Sequence, residues 1–160
     1  LLLGLASIAL SVLTYVMGVH LERPWWASVL GIAIMVLFIV FGLKTFKKDN
    51  GGFLSLGEAL KVGLAISLIA GILGVIYNYL FMTVIEPDMV NQMLEMTREQ
   101  MLEQNPDMPD DQMEMALGMT EKFMSPPIMA AIGIIFSLFL GFIISLIAGL
   151  VMKQNRPENY

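Results

Sequence analysis

Long apolar segments without charge alternate with polar segments along this chain. Four segments contain no Asp, Glu, Lys or Arg, and they cover residues 1–19, 24–43, 62–85 and 125–152. A helix needs about 20 apolar residues to cross the hydrocarbon core of a membrane. Because these segments lack the alternating pattern of barrel strands, we predict four transmembrane helices. The predicted fold is all-α: an integral membrane four-helix bundle that forms one domain over residues 1–160.

The polar segment at residues 86–124 has a helical pattern of its own. Pro87 and Pro109, each with aspartate nearby, favour two helix starts, because proline suits a first turn and acidic side chains suit the positive end of a helix. Apolar side chains recur at helical spacing on both sides of the turn at 105–109. We therefore predict two amphipathic helices that form an extracytoplasmic cap on the bundle.

Methionines dominate the apolar faces of these two predicted helices. Nine of the fourteen methionines and ten of the fourteen acidic residues lie between residues 83 and 127. Acidic helices are repelled by anionic lipid, whereas methionine adapts to varied protein surfaces. We therefore favour burial of the methionines in a self-packed helical hairpin, in a homo-oligomer or against another protein, over burial in the membrane surface. The predicted outer docking face consists of Met89, Met93, Met101, Met115 and Met119.

A metal site is an alternative explanation of the methionines. Thioether sulfur selects copper(I), and the pairs Met89/Met93 and Met115/Met119 have the spacing at which two sulfurs share one helix face. However, the chain has one histidine and no cysteine, and the same methionines are needed for an apolar face. We therefore predict no metal and no cofactor, and copper(I) binding stays the alternative.

The basic residues predict how the chain is oriented in its membrane. Only 14% of the residues are charged and 57% are hydrophobic, and the net charge of −5 comes almost entirely from residues 86–124. Lys44, Lys47, Lys48 and Lys61 lie between the second and third predicted spans. Short cytoplasmic loops hold the excess of Lys and Arg, so we predict cytoplasmic N- and C-termini and an external polar segment.

The acidic balance predicts no nucleic-acid partner. Because the chain does not begin with methionine, we expect further residues before it.

Small residues form a regular row along each of two predicted spans. Inside lipid, helices associate through close backbone approach and side-chain hydrogen bonds. We predict that these rows pack the bundle, with a partner helix or a lipid tail in one groove as the alternative, and that Asn78 makes an interhelical hydrogen bond. Residues 66–71 recur identically at 144–149, which we interpret as shared packing chemistry and not as a duplicated unit. The rows consist of Gly63, Ser67 and Gly71 in the third span and of Gly133, Ser137, Gly141, Ser145 and Gly149 in the fourth.

The loop before the third span ends in a helix-start motif. Ser55 and Glu58 have the spacing of a capping box, in which the hydroxyl and the carboxylate each accept a hydrogen bond from an otherwise unpaired backbone amide. A structural role for Glu58 is therefore predicted. The alternative is a catalytic or coupling carboxylate at the membrane surface, paired with Lys61 one turn further on.

The predicted spans contain few side chains that could take part in catalysis or in ion coupling. No Asp, Glu, His or Cys occurs in any of them. Catalysis inside a membrane and ion-coupled transport both rely on such groups. We therefore predict that the protein is not an enzyme. The leading function is a non-catalytic membrane scaffold or accessory subunit, and the alternative is a small transporter or a lipid- or metal-binding membrane protein.

Residues 47–63, 66–71, 77–79 and 85–88 resemble a membrane family known as domain of unknown function 4199. The likeness extends over nearly the whole chain. It implies a four-helix protein of the bacterial inner (cytoplasmic) membrane, with the segment 86–124 in the periplasm and no assigned activity. It further implies an anchoring or accessory role. The expected partners are the lipid bilayer and either a second copy or another protein, with a polyprenyl-phosphate glycosyltransferase as the candidate.

Overall fold

The computed structural model describes residues 1–21 and 24–156. The helices in this part of the chain confirm the predicted all-α class. A π-helical turn, Phe81–Ile85, directly continues the third of them. The α-helices are α1 (Leu2–Val16), α2 (Trp25–Asp49), α3 (Leu56–Leu80), α4 (Met89–Gln104), α5 (Asp110–Phe123) and α6 (Pro126–Met152).

Among the described residues, three helices are long and apolar enough to cross a membrane. They are α2, α6 and the combined helix Leu56–Ile85. The first predicted span is shorter than expected, because α1 has only 15 residues. At 1.5 Å per residue this helix is about 22 Å long, whereas the hydrocarbon core is about 30 Å thick. Three of the four predicted spans are therefore present at full length.

A glycine turn ends α1 before the end of its apolar segment. Gly18 has a φ of 72°, a left-handed conformation that favours glycine. The amides of Gly18 and Val19 donate to the carbonyls of Tyr15 and Thr14 at 2.9 and 3.1 Å. These two hydrogen bonds form a Schellman motif, which satisfies carbonyls at the helix end and reverses the chain.

The two helices predicted in the polar segment are present. α4 ends at Gln104 and α5 begins at Asp110, on either side of the predicted turn. Asp110 and Asp111 occupy the first turn of α5, where acidic side chains stabilise the positive helix end. Pro109 precedes this helix with a φ of −59° and sets the direction from which the chain enters it.

The chain forms two compact units, Leu1–Gly74 with Ile134–Tyr160, and Val75–Gly133. In the first unit, α1 packs against α2, and Leu73 of α3 contacts Gly4 of α1. The core of this unit contains Leu3, Met35, Ile39, Leu43, Leu54 and Ala59. In the second unit, α4 packs against α5.

The exterior of the first unit is strongly apolar. Phe41, Phe139 and Val151 are 60%, 57% and 82% exposed. A soluble monomer rarely presents a large continuous apolar surface to water, whereas a helix that faces lipid has no need of polar side chains there. The surface and the three long apolar helices together indicate a membrane protein.

Candidate functional site

α3 and α6 approach each other most closely at two Gly–Ser pairs. A Cβ added to Gly63 would overlap the Ser145 hydroxyl, and a Cβ added to Gly141 would lie 2.6 Å from Ser67 Cβ. Ser67 and Ser145 are fully buried. The Ser67 hydroxyl donates to the Gly63 carbonyl at 2.8 Å, and the Ser145 hydroxyl donates to the Gly141 carbonyl at 2.5 Å. Each serine therefore covers the glycine of the other helix while its own hydroxyl bonds within its own helix.

One further pair on each side extends this contact into a ladder. A Cβ on Gly71 would lie 3.3 Å from Ser137 Cβ, and a Cβ on Gly149 would lie 2.8 Å from Ala59 Cβ. The Ser137 hydroxyl also donates to the Ser67 carbonyl of the opposite helix at 2.9 Å. We call these four pairs the α3–α6 ladder: Gly63/Ser145, Ser67/Gly141, Gly71/Ser137 and Ala59/Gly149.

α2 covers the ladder from one side. Met35 Cε lies 3.5 Å from the Cβ position of Gly141, and Ile39 Cγ2 lies 3.6 Å from that of Gly63. Ile39 is fully buried there. At these positions the small-residue groove is therefore filled by the protein itself, which leaves no room for a lipid tail or a partner helix.

Two residues of the predicted packing set lie outside the ladder. Gly133 is exposed, and a Cβ added there would meet no atom within 4 Å. Asn78 is half-buried, and the described residues contain no interhelical hydrogen bond from its side chain; Ser137 makes such a bond instead. Regular spacing therefore identified the interacting row but not the point at which the contact ends.

The capping box at the start of α3 has its expected hydrogen bonds. The Ser55 amide and hydroxyl both donate to Glu58 Oε2 at 2.8 Å, and the Glu58 amide donates to Ser55 Oγ at 3.3 Å. The other carboxylate oxygen, Oε1, accepts from Asn50 Nδ2 at 3.3 Å. Both oxygens of Glu58 therefore hold the loop in place, and neither is engaged by Lys61.

The chain after α6 pairs with this same loop. Leu54 and Gln154 exchange two backbone hydrogen bonds, both 2.9 Å long, as an isolated antiparallel bridge. Arg156 Nη2 donates to Asn50 Oδ1 at 2.8 Å, and the Arg156 guanidinium lies 5.8 Å from the centre of the Phe53 ring. We call residues 47–58 and 152–156 the inner clasp.

The end of α2 contributes a lysine to the inner clasp. Gly51 and Gly52 have φ values of 69° and 88°, and the Gly52 amide donates to the Lys47 carbonyl at 2.8 Å, which closes the helix end. The Lys47 ammonium then donates to the Met152 carbonyl at 3.0 Å. A cation at the last carbonyl of α6 satisfies a terminal acceptor and complements the negative end of that helix. The sequence carries no local signal for this contact between Lys47 and the end of α6.

The predicted outer docking face divides into two parts. On α5, Met115 and Met119 are 67% and 59% exposed, and Phe123, four residues further on, is 63% exposed. Met113, on another side of the same helix, is buried. The members of the predicted face that lie on α4 are half-buried, and they are Met89, Met93 and Met101. We call Met115, Met119 and Phe123 the α5 stripe.

The described part of the chain, residues 1–21 and 24–156, contains no cluster of ordinary metal ligands: no group of three or more His, Cys, Asp or Glu side chains lies together in it. Met115 and Met119 lie one turn apart on an exposed face and supply two soft sulfur atoms. Copper(I) binding by this pair stays a prediction.

A family model matches residues 1–154. This range includes the ladder, the polar segment and both strands of the Leu54–Gln154 bridge. The chain belongs to the family described as protein of unknown function (DUF4199). The resemblance predicted from the sequence is therefore confirmed. No curated protein and no solved structure matches the chain.

Membership of the DUF4199 family covers all of the helices described above, but it does not assign an activity to the chain. The match begins with α1 and ends at Gln154, so all four apolar segments belong to the family unit. The family description names no substrate, ligand or catalytic residue.

We expect Gly63→Ala and Gly141→Ala to destabilise the protein by about 1–3 kcal/mol, the usual cost of overpacking, because the added methyl group meets a serine of the opposite helix. Gly74→Ala in α3 and Gly133→Ala in α6 are matched controls, since a Cβ at either position meets no atom within 4 Å. The measurement is the fraction of monodisperse protein that survives heating in mild detergent. Equal losses in all four variants would contradict the ladder.

We expect Lys47→Met to loosen the inner clasp, because it removes the donor to the Met152 carbonyl and keeps most of the apolar stem. One such hydrogen bond contributes about 1 kcal/mol. Hydrogen exchange at the Gln154 amide, which donates to the Leu54 carbonyl, should accelerate several-fold. Lys48→Met is the control, because Lys48 is exposed. An unchanged exchange rate in the Lys47 variant would count against a role for this lysine.

Proposed function

We propose that this protein is a non-catalytic integral membrane scaffold or accessory subunit that holds another membrane-associated protein at the bilayer. The observation that carries the proposal is the α5 stripe. Its three large apolar side chains are all more than half exposed and recur at four-residue spacing. Such a continuous apolar face on an otherwise polar helix favours a binding surface over chance exposure.

The charge around the α5 stripe favours a protein as its partner. Asp111, Glu114 and Glu121 are exposed on the same helix. These carboxylates repel anionic lipid headgroups and also repel the same face of a second copy. A protein segment that combines apolar and basic side chains is attracted by both features. Methionine side chains adapt readily to such a surface.

The interior of the membrane helices supports a role without catalysis. The fully buried polar side chains of the ladder are Ser67 and Ser145, and both hydroxyls donate to backbone carbonyls. A serine nucleophile requires a neighbouring base, and none lies in the charge-free spans. Transport along the ladder is disfavoured too, because α2 and the serines fill the groove at these positions.

The proposed topology has four spans, which are α1, α2, α3 and α6. The helices α4 and α5 form the proposed outer cap. We place both termini in the cytoplasm and residues 86–124 in the periplasm of a bacterial inner membrane. The Leu54–Gln154 bridge supports this orientation, because it brings the lysine-rich loop and the basic tail together at one end of the first unit. Two basic segments on one side of the membrane agree with the positive-inside rule.

The proposed class of partner rests on the family resemblance and on the α5 stripe with the acidic side chains around it. The resemblance implies a polyprenyl-phosphate glycosyltransferase, and this identity is the most specific part of the proposal. A second copy of the chain is the alternative occupant of the α5 stripe. Lipid binding also has a specific observation in its favour, which is a cavity between α1 and the start of α2.

Cysteine labelling tests the proposed topology, and the chain is naturally free of cysteine. We expect Glu95→Cys to react with a membrane-impermeant maleimide in spheroplasts, which leave the outer side of the inner membrane open to the reagent. Lys48→Cys should react only after lysis. Both side chains are exposed, so accessibility within the fold does not separate them. Labelling of the Lys48 variant before lysis would overturn the orientation.

A charge placed in the α5 stripe tests the docking role. We expect Met119→Glu to reduce a co-purifying partner about tenfold or more, because a central apolar contact often contributes 2 kcal/mol or more to binding. Gln112→Glu adds the same charge at an exposed polar position of the same helix and should leave the partner in place. Quantitative mass spectrometry after gentle extraction gives the ratio. Extraction of the protein from native membranes as a monomer without a bound partner would contradict the scaffold proposal.

A further inference from the structure

A cavity of about 250 Å³ lies between α1, the turn that follows it and the start of α2. Five of its eight lining residues are polar, although the two helices are apolar overall. The polar lining consists of Ser7, Ser11, Thr14, His20 and Ser28. Four hydroxyl groups and an imidazole line this one cavity, so it offers several hydrogen-bond partners to a polar group.

Two of the three cavity hydroxyl groups on α1 already use their protons within the helix. Ser7 Oγ donates to the Leu3 carbonyl at 3.0 Å, and Thr14 Oγ1 donates to the Ser11 carbonyl at 2.8 Å. Because each hydroxyl has one proton and two lone pairs, both oxygens keep acceptor capacity after their proton is used. The cavity therefore fits a ligand that supplies several hydrogen-bond donors from one compact group.

The surroundings of the cavity are those of a lipid-facing surface. Leu13, Val16, Trp25 and Val29 are 50%, 76%, 78% and 58% exposed on the same two helices. Ser11 lies five residues before the end of α1, which corresponds to a depth of about 7 Å. This is close to the thickness of the headgroup layer, about 5–8 Å on each side of the hydrocarbon core. With the end of α1 at the membrane surface, as in the proposed topology, a lipid headgroup lies at the level of the cavity.

We propose that this cavity binds the ammonium group of an ethanolamine phospholipid, which donates its N–H groups to the hydroxyl oxygens of α1 and α2. A primary ammonium has three donors in one compact group, and each lipid hydroxyl has only one. The choline ammonium has the same charge and no N–H donor. The site is independent of the α5 stripe, so its failure leaves the scaffold proposal intact.

The test compares two phospholipids that differ only in the headgroup. Delipidated full-length protein is mixed with equal amounts of ethanolamine and choline phospholipids of matched acyl chains, and native mass spectrometry counts the lipids retained. The wild type should retain the ethanolamine lipid about fivefold over the choline lipid, since one net hydrogen bond contributes about 1 kcal/mol. Equal retention of the two lipids would overturn the proposal.

Variants assign the preference to the cavity. Ser11→Ala combined with Ser28→Ala should bring the lipid ratio close to one. Thr45→Ala should not change it, because that hydroxyl is exposed at the far end of α2 and donates to the Phe41 carbonyl. Ala27→Leu, which fills the cavity and keeps every hydroxyl, should also abolish the preference.

Three further outcomes would overturn the inference. The first is an unchanged ratio in the Ala27→Leu variant, and the second is an equal loss of preference in the Thr45→Ala control. The third is complete displacement of the bound lipid by free phosphoethanolamine at matched concentration, because it would assign the cavity to a water-soluble ligand.

Discussion

Helices inside a bilayer gain little by burying apolar side chains against each other, because the lipid they leave is equally apolar. The α3–α6 pair therefore depends on how closely two backbones come together, and glycine permits that distance because it has no Cβ. At Gly63 and Gly141 the space is taken by serines of the opposite helix. Met35 and Ile39 of α2 pack onto the same seam, and α1 packs onto α2. The first unit is thus arranged around one close contact.

The hexapeptide shared by residues 66–71 and 144–149 has a physical explanation in that contact. When two antiparallel helices carry the same arrangement of glycine and serine, each glycine of one helix faces a serine or another small residue of the other. Both serines then fill the space that the opposite glycine leaves, and their hydroxyls bond to carbonyls of their own helices. These pairings account for the serine and the glycine that the two hexapeptides have in common.

Sequence patterns predicted those features that depend on neighbouring residues. The all-α class, three long spans, the ends of α4 and α5 and the Ser55–Glu58 hydrogen bonds all follow from local chemistry. The patterns failed where a distant segment decides the outcome.

The four-residue spacing of small residues placed Gly133 in the row on α6, but this spacing does not show where α6 stops contacting α3. The pairing of Leu54 with Gln154 has no local signal, because a single backbone bridge requires no particular side chain. Similarly, the spacing of the methionines does not distinguish the buried Met113 from the exposed α5 stripe, because α5 packs against α4 and the covered face depends on that packing.

The α3–α6 ladder also has a consequence for biosynthesis, because it joins two helices that are synthesised at different times. Translation at about 5–20 residues per second separates Gly63 from Ser145 by roughly ten seconds. During that interval α3 is already made while its groove has no α6 to fill it, so the surface around Gly63 is open to lipid or to other proteins until α6 has been synthesised.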